Sequence, residues 1–132
     1  MRDRRLPTPG DYVEQVLEHL DAVKARDARR ANRLFDKVAA MTDRWREELP
    51  DQGLERLCSL SDHPDRHVRV KVGWALMELD ADRSDALFLQ AAREGPGEDL
   101  ISALMGLRRL RGLGDFAPIP ELGDLGAQDP PE

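Results

Sequence analysis

The chain has 132 residues, of which 40% are hydrophobic, 35% charged and 5% aromatic, with a formal net charge of −6. That balance excludes a disordered chain, and no apolar run approaches the roughly 20 residues that span a bilayer. A single cysteine, Cys58, excludes an internal disulfide and suits a reducing compartment, so a cytoplasmic location is expected.

Leu, Ala, Arg and Glu outnumber Val, Ile and the aromatics, and such residues form helices. Residues 1–10, ending in the breaker-rich "PTPG", read as a flexible leader without the apolar stretch of a secretory signal. From Asp11, apolar residues fall at Val13, Val16, Leu17, Leu20 and Val23, which is helical spacing. "KARDARR" interrupts the stripe and predicts a turn near Asp27. A second stripe, Leu34, Val38, Met41 and Trp45, runs to Leu49-Pro50, because the residue before a proline is biased away from the helical region. "DQGLERLCSLSD" predicts a short helix with Leu54, Leu57 and Leu60 inward.

Asp62 or His63 then occupies the expected cap of the next helix, with Pro64 in its first turn. Val68, Val72, Ala75, Leu76 and Leu79 form one face of that helix. "DADRSD" predicts a turn with Asp82 or Ser84 as N-cap. A fifth helix stops at Gly95. A sixth carries Leu100, Ala103, Leu104, Leu107 and Leu110 inward and ends at "RGLG". The expectation is an all-α fold of six helices in three consecutive antiparallel pairs, 11–26 with 28–48, 52–61 with 64–80 and 84–94 with 98–111. The short loops force neighbouring helices antiparallel, and stacked pairs share a core that one pair cannot close.

Residues 11–111 then form the helical domain, and 112–132 an acidic tail rich in Pro and Gly. Asp115, Glu121, Asp124, Asp129 and Glu132 lie in that tail with no Lys or Arg, so the helical part is close to neutral. A surface built to meet a basic partner is therefore less marked than the total charge suggests. Phe116, Ile119, Leu122 and Leu125 recur every three residues among the acids and prolines. That density of apolar residues exceeds what a solvating tail needs, leaving a disordered end, a fold-back onto the domain or a partner contact all open.

The stretch "LCSLSDHPDRHVRVKVGWALMEL" resembles a HEAT-type repeat. Asp62, Pro64, Val68, Arg69, Ala75 and Leu76 match its pattern, and Gly73 stands where the pattern has a small residue. Together with "ANRLFDKV" (31–38) and "AAREGPGEDLISALMGLRRL" (91–110), it is similar to a bacterial family catalogued as domain of unknown function twenty-nineteen, over roughly residues 11–112. The resemblance implies three HEAT-like hairpins in a short right-handed superhelical stack, with no established catalytic activity. Members are often encoded beside secreted toxins, where an immunity role has been proposed, and the family defines no functional residues to carry over.

No catalytic residue, metal or cofactor is expected. His63 and His67 are four apart, but Pro64 separates them and no third ligand completes a metal spacing. Cys58 has no partner base fixed by the sequence and reads as a buried structural cysteine. Arg69 is expected to bond an acidic loop residue, Asp62 or Asp82, and so hold repeats in register. Trp45 lies on its apolar stripe and reads as core. Trp74 falls one position off its helix face, which leaves it between packing on a neighbouring pair and anchoring an interface.

The expected partner is a protein, with a toxin encoded by an adjacent gene as its most specific form, and the partner-binding residues are Trp74, Arg66, His67, Lys71 and Phe116. A membrane is not expected. The alternatives are an adaptor subunit of a larger complex, or a HEAT-like nucleic-acid-binding or base-repair protein. The last would use Lys24, Arg26, Arg29, Arg30 and Arg33, with Arg108, Arg109 and Arg111, to neutralise phosphates. An acidic chain poor in aromatics fits it badly.

Overall fold

A computed structural model describes residues 7–48, 50–97 and 99–125. The protein is all-α. Among the described residues, six helices follow the expected order: α1 (Pro9–Lys24), α2 (Ala28–Glu48), α3 (Pro50–Ser59), α4 (Arg66–Leu76), α5 (Ala81–Arg93) and α6 (Leu100–Leu110). A 3-10 segment, Pro120–Leu125, follows them, and there is no strand among the described residues. The chain divides into two compact units, 1–62 and 63–132. The division falls in the turn that the repeat reading places inside its second helical pair. In the first unit α2 packs on α1 and α3, and in the second α5 packs on α4 and α6.

Local chemistry sets the helix ends, and several differ from the sequence expectation. α1 begins at Pro9, not Asp11, because Thr8 and Asp11 form a capping box: Asp11 N donates to Thr8 Oγ1 at 3.1 Å, and Thr8 N to Asp11 Oδ2 at 2.9 Å. Part of the expected leader is thus structured, while residues 1–6 lie outside the described residues. The turn expected near Asp27 is present, and the Asp27 carboxylate accepts from Arg30 N at 3.1 Å. The N-cap of α4 is Asp65, which accepts from His67 N, so Asp62, His63 and Pro64 all precede the helix. The N-cap of α5 is Asp80; Asp82 and Ser84 lie inside its first turn.

The core of the first unit centres on Trp45, which is fully buried as expected. Its indole Nε1 donates to the Pro7 carbonyl at 2.7 Å, Tyr12 packs 5.6 Å away, and the Arg56 guanidinium lies over the ring while also donating to Pro7 O. The buried face of α1 is Tyr12, Val16, His19 and Ala22, a phase shifted from the stripe read from the sequence. Burial pushes the Tyr12 hydroxyl well above its usual range. Cys58 is half-buried rather than buried.

The core of the second unit is organised around Phe88. A Cβ at Gly73 of α4 would lie 2.8 Å from one edge of this ring, and a Cβ at Gly106 of α6 would lie 2.5 Å from the other. The two glycines let α4 and α6 close on the ring, as the small-residue position of the repeat pattern anticipates for Gly73. Ser84 adds a tie between α5 and α4, donating to the Gly73 carbonyl at 2.6 Å. The described part of the tail is folded back: Ile119 is fully buried against α5 and α6, and Leu122 packs beside it. Burying one such side chain contributes about 1.5–3 kcal/mol. Leu125, the last apolar residue of that series, is described in its backbone only.

Candidate functional site

The residue types singled out by the sequence concentrate on α4, and the structure sorts them into two groups. The first group ties α4 to the loop between α5 and α6. Arg66 donates to the carbonyls of Ala91, Gly95 and Pro96, at 3.2, 2.5 and 3.0 Å. A guanidinium suits that place, since the end of a helix presents unpaired carbonyls and partial negative charge. His67 Nδ1 lies 2.6 Å from Asp99 Oδ1, and the ring is only 6% exposed. With its carboxylate taken by His67, Asp99 makes no side-chain cap on α6.

Arg69 pairs with Glu94 through two hydrogen bonds, one of them 2.8 Å between Nη2 and Oε1. This is the expected bond to an acidic loop residue, but the partner is Glu94 rather than Asp62 or Asp82. Hydrogen bonding to Arg69 holds the Glu94 carboxyl below the usual carboxylate range. Burial pushes the Lys71 ammonium below its usual range, and Asp99 opposes that shift. Of the expected partner-binding residues, then, His67 is buried and Arg66 spends its guanidinium on the loop. Of the signature positions, Val68, Arg69 and Leu76 are buried while Asp62 and Pro64 are exposed turn residues. His63 Nδ1 accepts from Asp65 N, and no group of His, Cys, Asp or Glu suited to a metal occurs among the described residues.

The second group is at the surface. Trp74 is half-buried, with its ring edge on Phe88 at 5.5 Å and its Nε1 donating to Ser102 Oγ at 2.9 Å. Arg109 lies 5.4 Å over the same ring. Ser102 and Arg109 both belong to α6, where Ile101 and Met105 stand one turn apart, 63% and 50% exposed. Helical spacing sets these two apolar side chains between the Trp74 contacts on one side and Arg108 on the other. Phe116 is 46% exposed in the tail.

Sequence reasoning missed Ile101 and Met105, although the signal was there: two large apolar residues at i and i+4, off the inner face of α6. The second basic cluster is dispersed. Arg108 is buried and donates to Ala117 O, Arg111 pairs with Asp85 and Glu121, and Arg109 covers Trp74. In the first unit Lys24, Arg26, Arg29 and Arg33 are exposed. No family model, no curated protein and no solved structure matches this chain.

Proposed function

We propose that the chain is a non-enzymatic protein-binding helical module. The observation that carries this reading is the exposed Ile101–Met105 pair, set beside the half-buried Trp74 with Arg109 stacked on it. Aromatic and arginine anchors next to exposed apolar side chains are the composition of protein-interface centres. The resemblance drawn from the sequence supports a more specific role, immunity: occlusion of a toxin encoded by an adjacent gene. The nucleic-acid reading has less support, because Arg108 and Arg111 are occupied within the fold. An adaptor role would use the same surface.

Co-purification with the neighbouring gene product tests the proposal. The wild-type chain is expected to retain that product and neutralise it. The double variant Ile101→Asp/Met105→Asp is expected to lose binding by about tenfold or more, with its far-UV spectrum unchanged, since both residues are exposed. A neighbouring toxin that is neither bound nor neutralised would end the immunity reading. Unimpaired capture by the double variant would remove this surface from it.

A further inference from the structure

We propose that the turn between α1 and α2, with the first three turns of α2, is a contact for the phosphate backbone of double-stranded nucleic acid, made without regard to base sequence. The inference goes beyond the protein-binding reading and concerns the first unit only. It involves no base readout and no chemistry on a base, and it stands whether or not the Ile101–Met105 surface binds a partner.

Charge is segregated along this chain, and the net value of −6 conceals it. Residues 24–37 hold six cations, Lys24, Arg26, Arg29, Arg30, Arg33 and Lys37, against two acids, a net of +4, while the other 118 residues carry −10. One of the two acids, Asp27, is committed to capping, since its carboxylate accepts from Arg30 N. None of the six cationic side chains makes a hydrogen bond or ion pair among the described residues. By contrast, Arg44, Arg69, Arg83 and Arg111 each meet a carboxylate. At 3.6 residues per turn, Arg29, Arg30, Arg33 and Lys37 fall within about 100° of the α2 circumference, with Asp36 at the edge of that arc. Arg29, Arg33 and Lys37 are exposed and repeat every four residues, about 6 Å apart along the helix axis.

Three features of this corner work against local stability, and each keeps a positive charge in place. Arg26 sits at φ +57°, just after α1, where the left-handed backbone favours glycine. The turn closes there, with Arg26 N donating to Val23 O and Asp27 N to Ala22 O. Arg29 and Arg30 lie in the first turn of α2, which carries no acid, although the helix dipole favours negative charge at that end. Arg29 with Arg33, and Arg33 with Lys37, are like-charge pairs four residues apart, which repel. A polyanion lying along the stripe relieves the last two conflicts, because its charges sit against the cations and the positive end of the helix.

The make-up of the patch favours phosphate over other anions. No aromatic or large apolar side chain stands among the cations: the exposed Phe35 falls, by helical spacing, on the far side of the buried Leu34–Val38 stripe. A protein interface is centred on such anchors, and single strands stack their bases on them. A helix that lies on a membrane buries an apolar face, whereas that of α2 is given to the core through Leu34, Val38 and Trp45. A row of arginines and a lysine without anchors is suited to neutralising backbone phosphates and releasing their counterions.

The test titrates the full-length chain into a short fluorescein-labelled DNA duplex and follows anisotropy as salt is raised. With about four cations engaged, affinity is expected to fall about 100-fold between about 50 and 200 mM salt. The double variant Arg29→Gln/Arg33→Gln should bind more weakly at the low-salt end and lose only about tenfold over the same range, because it engages half as many phosphates. Duplexes of unrelated sequence should bind alike, and Arg83→Gln, in the second unit, should leave binding unchanged. The double variant should also melt a few degrees higher than the parent, having lost a like-charge pair and a charge opposed to the helix dipole. A double variant that melts lower would mean that the arginines are structural ties, and would overturn the proposal. So would a duplex left unbound at low salt, or an unchanged salt dependence in the double variant. Poly-glutamate bound as tightly as the duplex would point to an acidic protein instead, and phosphatidylserine vesicles bound in preference to it would point to a membrane. Either result would overturn the proposal too.

Discussion

Phe88 shows how much of the second unit rests on what is missing from two side chains. Its ring is fully buried between Gly73 and Gly106, and a methyl group at Gly106 would fall 2.5 Å from ring carbons. Alanine at 106 should favour the helix by about 1 kcal/mol over glycine. Forcing the ring aside in a close-packed core costs about 1–3 kcal/mol. Overpacking therefore wins, and Gly106→Ala is expected to lower stability by up to about 2 kcal/mol in urea unfolding. Adding Phe88→Leu should recover part of the loss, and a Gly106→Ala chain as stable as wild type would contradict the packing argument. Gly73 was legible in the sequence because the repeat pattern puts a small residue there; Gly106 was not, because nothing local distinguishes it from a weak helix position. The Glu94 partner of Arg69 was hidden for a related reason: the sequence shows that the arginine needs an acid, and only the folded loop shows which of several acids is in reach.

The helices themselves were readable because apolar spacing and the Pro and Gly breaks agree along the chain. Their ends were less so. Asp-rich turns offer several caps within three residues, and the choice of Asp65 and Asp80 depends on which of them has the backbone geometry to reach back. The phase of α1 slipped because Tyr12 and His19, both amphipathic, supply half of its buried face. The tail was the hardest element to read, since its order comes from Arg108 and Arg111 on another element and not from its own composition. Hydrogen bonding from Arg111, seconded by Glu121's own backbone N–H, holds the Glu121 carboxyl at about 2 against an ordinary value of 4.5, and Asp85 shares the same guanidinium. A proton therefore binds Glu121 less readily in the folded chain than in the unfolded one. The contribution of Glu121 is complete above pH 4.5 and fades as the pH falls towards 2. Amide resonances of Ile119 and Leu122 should shift with a midpoint near the low end of that window, and E121Q should abolish the transition. A midpoint at the ordinary value would show that the Arg111 contact does not persist in solution.

At the scale of the chain, the second unit carries its ties within itself. Arg66, His67 and Arg69 of α4 all reach the loop after α5, Ser84 of α5 reaches Gly73, and the tail closes on α5 and α6. Most of the acidic surplus sits beyond the helices, yet Glu121 is spent on Arg111, so the tail offers a basic partner less charge than its sequence suggests. A segment of this size buries only about 60% of its unfolded surface and is correspondingly marginal. Its internal closure nonetheless predicts that residues 63–132, expressed alone, form helix and melt in one cooperative transition. The size of the Gly106→Ala effect supplies the stricter comparison. Each kcal/mol lost should lower the melting temperature of such a fragment by about 4–8 °C. If the packing around Phe88 is complete within the unit, the free-energy loss should match that in the full-length chain to within about 0.5 kcal/mol. A fragment without a cooperative transition, or one indifferent to the substitution, would show that the Phe88 core is not closed by residues 63–132 alone.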